Sequence, residues 1–95
     1  MGKAYVIFTE DIKDPEAMKA YGAAAVKTMP EGVKFLAADP KPETLEGEWH
    51  GTQTVLLEFE SVDAAKAWYN SDEYQAAAKL RHAAADSNGV ILTGF

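Results

Sequence analysis

"TVLLEF", Thr54–Phe59, is apolar on both sides. In an extended chain Val55, Leu57 and Phe59 point one way and Leu56 points the other. An antiparallel strand with one solvated face alternates apolar and polar residues, and this one does not. The same doubling recurs at both ends of the chain. In "AYVIF", Ala4–Phe8, Ala4, Val6 and Phe8 oppose Tyr5 and Ile7; in "VILTGF", Val90–Phe95, Val90 and Leu92 oppose Ile91 and Phe95. One pair of helices covers one face of a small sheet. The other face then needs a second sheet, and a second copy of the same chain supplies it. Several large side chains buried there, each contributing roughly 1.5–3 kcal/mol, would make such a homodimer hard to separate.

Outward from this strand, the elements follow from punctuation. "KAYVIFTED" reads as a first strand, Lys3–Asp11. A helix follows with Asp14 as N-cap, Pro15 at its first position and Glu16 in its first turn. Its stripe is Ala17, Tyr21, Ala24, Ala25 and Thr28, and Pro30 ends it near Met29. "GVKFLAAD" after Gly32 is a second strand, and "ETLEGEWHG" reads as a short edge strand or bulged hairpin leading into "TQTVLLEFE". Ser61 caps the helix "VDAAKAWYN" and Ser71 caps "DEYQAAAKLRHAAA", so Asn70-Ser71 is an encoded joint, each cap contributing about 1 kcal/mol. Asn88-Gly89 reads as the terminator of that last helix, before the final strand. The order is βαββαβ with a split second helix: an α+β, ferredoxin-like single domain over residues 1–95 with one antiparallel sheet, paired sheet to sheet into a dimeric α+β barrel.

Composition narrows the function classes. The 95 residues contain no cysteine, which removes disulfides, thiolate metal sites and cysteine nucleophiles. A formal charge of -6 repels nucleic acid and anionic lipid. No run is long enough for a signal h-region or a membrane span, so the expectation is a cytoplasmic protein with an intact amino terminus and no membrane partner. P-loop, dinucleotide and zinc motifs are absent, and no cofactor is expected.

"DPEAMKAY" (Asp14–Tyr21), "LEGEW" (Leu45–Trp49), "LLEFES" (Leu56–Ser61) and "AKAWYNSDEYQ" (Ala65–Gln75), with Arg81 behind them, resemble the small bacterial family called domain of unknown function thirteen-thirty. The likeness covers nearly the whole chain. It implies the dimeric α+β barrel superfamily, whose members include cofactor-independent monooxygenases, muconolactone-type isomerases and haem-dependent enzymes. Their ligands sit between the sheet and the helices of one subunit. This chain departs from the family pattern at "AADPKP" (Ala37–Pro42) and "HGTQ" (His50–Gln53), where relatives carry basic residues, and Arg81 is its only arginine.

Arg81 follows Tyr74 by two helical turns on one stripe. It either anchors a carboxylate or phenolate ligand or forms an ion pair with Glu73 or Glu58. Glu58 interrupts an apolar strand, as a general base if buried and as a solvated or arginine-paired residue otherwise. Tyr69 and Trp68 fill space under alanine-rich helices, with Tyr69 lining a pocket if it faces one. Trp49 caps either the cavity mouth or the dimer edge. His50 and His82 lie on different elements with no carboxylate at ligand spacing, so no metal site is expected, and each is an isolated histidine as a haem ligand. Two functions fit. One is a cofactor-independent, monooxygenase- or isomerase-like enzyme for a small aromatic or organic-acid molecule, with Arg81, Tyr74 and Trp49 as ligand contacts and Tyr69, His82 or Glu58 relaying protons. The other is a non-catalytic dimeric module that binds a metabolite or a protein.

Overall fold

Three side chains start the three helices. Asp14, Ser61 and Ser71 each accept a hydrogen bond from the backbone N–H three residues on, at Ala17, Ala64 and Tyr74. The computed structural model describes residues 2–95, and these caps open α1 (Pro15–Val26), α2 (Val62–Tyr69) and α3 (Asp72–Ala84). The strands are β1 (Ala4–Ile12), β2 (Lys34–Asp39), β3 (Gln53–Phe59) and β4 (Ala85–Thr93). They form one antiparallel sheet in the order β2-β3-β1-β4, with the helices on one face, which is the ferredoxin-like arrangement.

Period-two alternation decides what each face carries. Ala4, Val6 and Phe8 of β1 are buried under the helices beside Leu57 and Phe59 of β3. Tyr74 and Trp68 fill the space above them, their rings 4.0 Å apart, and the Trp68 indole donates to Thr28 Oγ1 at 2.9 Å. The aromatic joint between α2 and α3 is thus the wedge that seats both helices on the sheet. On the opposite face Ile7 lies between Leu56 and Val90, and Tyr5 is paired with Leu92. Val90 and Leu92 are 51% and 47% exposed, so this face is apolar and uncovered within one chain.

Several boundaries differ from the sequence expectation, most of all that of the last strand, which reads from Val90 and runs instead from Ala85 to Thr93. β1 runs one residue later, and α1 ends at Val26, three residues before Met29, because residues 27 and 28 turn away with Thr28 Oγ1 donating to the Ala25 carbonyl. "ETLEGEWHG" forms no strand; it is an irregular connection tied to the sheet by the Trp49 indole on Thr54 Oγ1 (2.7 Å) and by His50 on Thr9 Oγ1 (2.7 Å). Asn88-Gly89 does not terminate α3. The helix stops at Ala84, Ala85 is already extended (φ -151°, ψ 153°), and the next residues pair along the full length of β1.

The reason Gly89 lies inside a strand is contact, not turn formation. It pairs with Phe8, and a Cβ on it would sit 2.7 Å from the Phe8 ring. Gly22 poses the opposite case. Glycine inside a helix costs about 1 kcal/mol relative to alanine. Yet φ at Gly22 is not positive, and a Cβ there would meet nothing within 4 Å. Gly89→Ala is expected to lower the free energy of unfolding by about 1–3 kcal/mol through overpacking against Phe8, read by urea denaturation.

Candidate functional site

Arg81 is carried on the buried stripe of α3, after Tyr74, Ala77 and Ala78. The alanines leave room for its long side chain to lie along the sheet, and only 3% of it is exposed. Its guanidinium carbon sits 4.5 Å above the Phe8 ring and 5.8 Å from that of Tyr21, within cation–π range. One terminal nitrogen donates to Ser87 Oγ, the other lies 3.5 Å from His82 Nε2, and Nε has no partner. Among the described residues no carboxylate pairs with it, neither Glu73 nor Glu58. Burial works against its charge, and the neighbouring Tyr74 and Tyr21 hydroxyls outweigh that, so it stays a cation.

The guanidinium borders a cavity of about 310 Å³ between α3 and the β1–β4 edge. His82 and Ser87 give it polar walls, and Tyr69, Phe8 and Ile91 give it apolar ones. Behind that wall the Tyr21 and Tyr74 hydroxyls share a hydrogen bond of 2.8 Å. Burial first, and that bond second, push the Tyr21 phenol far above its ordinary value of 10.0, so it stays neutral. The arrangement can therefore hold one anion against a buried cation, with an imidazole beside it able to take or return a proton.

Sequence candidates separate into two groups. Arg81, His82 and Tyr69 meet at one cavity, and Tyr74 lies just behind, 5.6 Å from the Tyr69 ring. Glu58 lies on the opposite face of the sheet, 3.7 Å from Lys34 Nζ. Trp49 stands on that face too, through its bond to Thr54, away from the cavity. His50 Nε2 lies 3.9 Å from Asp86, and no three histidine or carboxylate groups among the described residues come together as a metal site.

Glu10 and Ser87 carry no signal in the sequence analysis, and Tyr21 enters there only as part of the helix stripe. Glu10 continues the series Ala4, Val6, Phe8 on the core face of β1, so parity marks it as buried; it is 1% exposed. Its Oε1 accepts from Gln53 Nε2 at 2.9 Å. Ser87 was hidden because the residues before Val90 read as a helix end. Burial raises the Glu10 carboxyl above its ordinary 4.5, opposed by the Gln53 amide and the Arg81 charge. The folded chain then keeps this proton to higher pH than the unfolded chain. Its stabilising effect is complete below the ordinary carboxylate range and is lost as pH rises through the raised value. Glu10→Gln cannot ionise. As pH rises from the ordinary carboxylate range through the raised value, the difference in unfolding free energy between variant and wild type should move in favour of the variant, and a pH-independent difference would contradict the assignment.

Solved structures share the fold. A protein of unknown function from Rhodopseudomonas palustris superposes with a TM-score of 0.76 at 23% identity, over 99% of this chain and 83% of that one. A dimeric ferredoxin-like protein of unknown function from Jannaschia sp. CCS1 gives 0.74 at 16% identity, over 98% and 100%. SnoaB, a cofactor-independent oxygenase from Streptomyces nogalater, gives 0.64 at 13% identity, over 100% and 95%. No curated protein matches the sequence. The family model of the domain of unknown function DUF1330 matches residues 3–95, and the chain belongs to that family.

Proposed function

We propose that the protein binds a small aromatic or enolisable organic acid as its anion in the Arg81 cavity, and that it acts on that molecule without a cofactor. One observation carries the reading: Arg81 is 3% exposed, its Nε is unpartnered, and no carboxylate among the described residues pairs with it. A buried charge is costly unless an opposite charge and hydrogen bonds offset it. The chain supplies the Ser87 hydroxyl, the nearby Tyr74 and Tyr21 hydroxyls, an imidazole edge and two ring faces, and no charge opposite to it in direct contact. A ligand carboxylate, phenolate or enolate supplies the rest.

His82 Nε2 beside the guanidinium is positioned as the proton acceptor, and the Arg81 charge stabilises the anion left behind. Returning the proton to another carbon is an isomerisation; reaction of the electron-rich anion with dioxygen is an oxygenation. The likeness to SnoaB supports the second by fold analogy alone. Glu58, on the far face of the sheet, favours a plainer reading as a binding module, because no carboxylate base reaches this cavity.

The uncovered face around Ile7, Leu56 and Val90 supports a homodimer, as its dimeric neighbour from Jannaschia does. Ile7→Glu is expected to convert the dimer into monomer in native mass spectrometry.

Arg81→Met keeps the length of the side chain and removes its charge. Binding of 2-naphthoate, followed by calorimetry, should weaken about 10- to 100-fold, the range for a lost charged hydrogen bond. Binding of 2-naphthylmethanol, which carries no charge, should change little. Equal affinity of variant and wild type for 2-naphthoate would refute the anion site. His82→Gln should retain 2-naphthoate and lose any conversion that mass spectrometry detects on incubating the wild type with phenols and enols; conversion at the wild-type rate in that variant would remove His82 from the chemistry.

A further inference from the structure

A second cavity, of about 210 Å³, lies on the other side of Phe8, between α1 and the β1–β3 part of the sheet. We propose that it is a separate binding site for a small, flat, weakly basic nitrogen heterocycle, held by the carboxyl group of Glu10. It does not rest on the anion site at Arg81, and it selects the opposite chemistry.

Three observations carry it. First, Met18, Val55 and Leu57 make the wall apolar, and the Tyr21 hydroxyl on that wall is taken by Tyr74. Glu10 and Gln53 are the remaining polar side chains, and they are bonded to each other through Glu10 Oε1. Glu10 Oε2 has no hydrogen-bond partner among the described residues, although the residue is 1% exposed. Oε2 is not one of the sealed polar atoms left without a partner, so it keeps the slight access through which a molecule in the cavity can reach it. Second, Gly22 lines the same cavity, in the interior of α1, where neither its φ nor a close neighbour requires glycine. A larger side chain there would improve the helix and fill the space, so the glycine keeps the cavity open at a cost in stability. Third, Val26 and Phe35, on α1 and β2, border the cavity and are each 58% exposed. Apolar side chains on both sides of a mouth favour entry of an apolar ring.

The chemistry of the occupant follows. A cavity of roughly 150 Å³ already accepts benzene, so this one has room for a fused bicycle. The rings of Phe8, Tyr21 and Phe35 in its wall favour a flat molecule. A weakly basic ring nitrogen accepts the proton of neutral Glu10 or, once protonated, donates to its carboxylate. Either way one proton is shared between the two groups, and in the second case the bond is charge-assisted. An anionic ligand would meet like charge here, whereas at Arg81 it meets opposite charge.

Benzimidazole and indene test this as a matched pair of the same shape, one with nitrogens and one without. In an NMR titration of the full chain, benzimidazole should bind at least tenfold more tightly than indene, with the largest shifts at the amides of Glu10, Gly22 and Gln53. Glu10→Leu should erase that preference. Gly22→Leu should exclude both probes, raise the melting temperature, and keep the wild-type dispersion of the amide spectrum, which shows that the variant is folded. Equal affinity for the two probes in the wild type would overturn the role of Glu10. Shifts centred elsewhere, undiminished binding to Gly22→Leu, or no binding of either probe would overturn the site itself.

Discussion

The ring of Phe8 lies against the bare backbone of Gly89 on the neighbouring strand and beneath the guanidinium of Arg81 on the helix above. Much of the interior depends on this three-layer contact. It needs a residue without a side chain opposite Phe8, which aligns β4 on β1 along the whole ladder. It needs small residues on α3 ahead of Arg81, which Ala77 and Ala78 provide. Because the ring is rigid and lies across the middle of the sheet, it also separates the space under the helices into two cavities, one reached by Arg81 and the other by Glu10.

Two ionisable groups of opposite sign are buried in the same small core without forming an ion pair. Arg81 is held by a hydroxyl, an imidazole and aromatic faces, and Glu10 by an amide. They act on one another only through space, enough for the arginine to moderate the rise in the Glu10 pKa. Had they met, each would have satisfied the other and the interior would hold no unmet polar demand. Held apart by Phe8, each borders its own cavity, Arg81 with an unpartnered Nε and Glu10 with one carboxyl oxygen bonded to Gln53. The surrounding aromatic cluster, Trp68, Tyr74, Tyr21 and Phe59, supplies the packing that such a core needs.

Where local chemistry is strong, the sequence could be read element by element. Asp14-Pro15, Ser61 and Ser71 open helices where capping chemistry says they should, and the alternation of β1 and β3 assigns Val6, Phe8 and Leu57 to one face and Ile7 and Leu56 to the other. Asn88-Gly89 misled because its local preference for ending a helix is weaker than a nine-residue ladder with β1. Trp49 and Glu58 lie near the site in sequence pattern but on the other side of the sheet in space. The reverse holds for Glu10, which no motif in the sequence marks and whose parity on β1 buries it.

The sequence by itself therefore determined the order of elements, which residues share a face on β1, β3 and β4, the split of the second helix at Asn70-Ser71 and the place of the solitary arginine two turns after Tyr74 on one stripe. These depend on contacts between residues close in the chain, and caps and alternation encode such contacts directly. Only the tertiary structure decided that Arg81 meets Ser87 and His82 rather than Glu58 or Glu73, that Glu10 faces a cavity, and that Phe8 stands between the two. Those outcomes depend on which strand lies beside β1 and how closely α1 and α3 approach over it. Long-range packing sets those distances, and no local pattern records them.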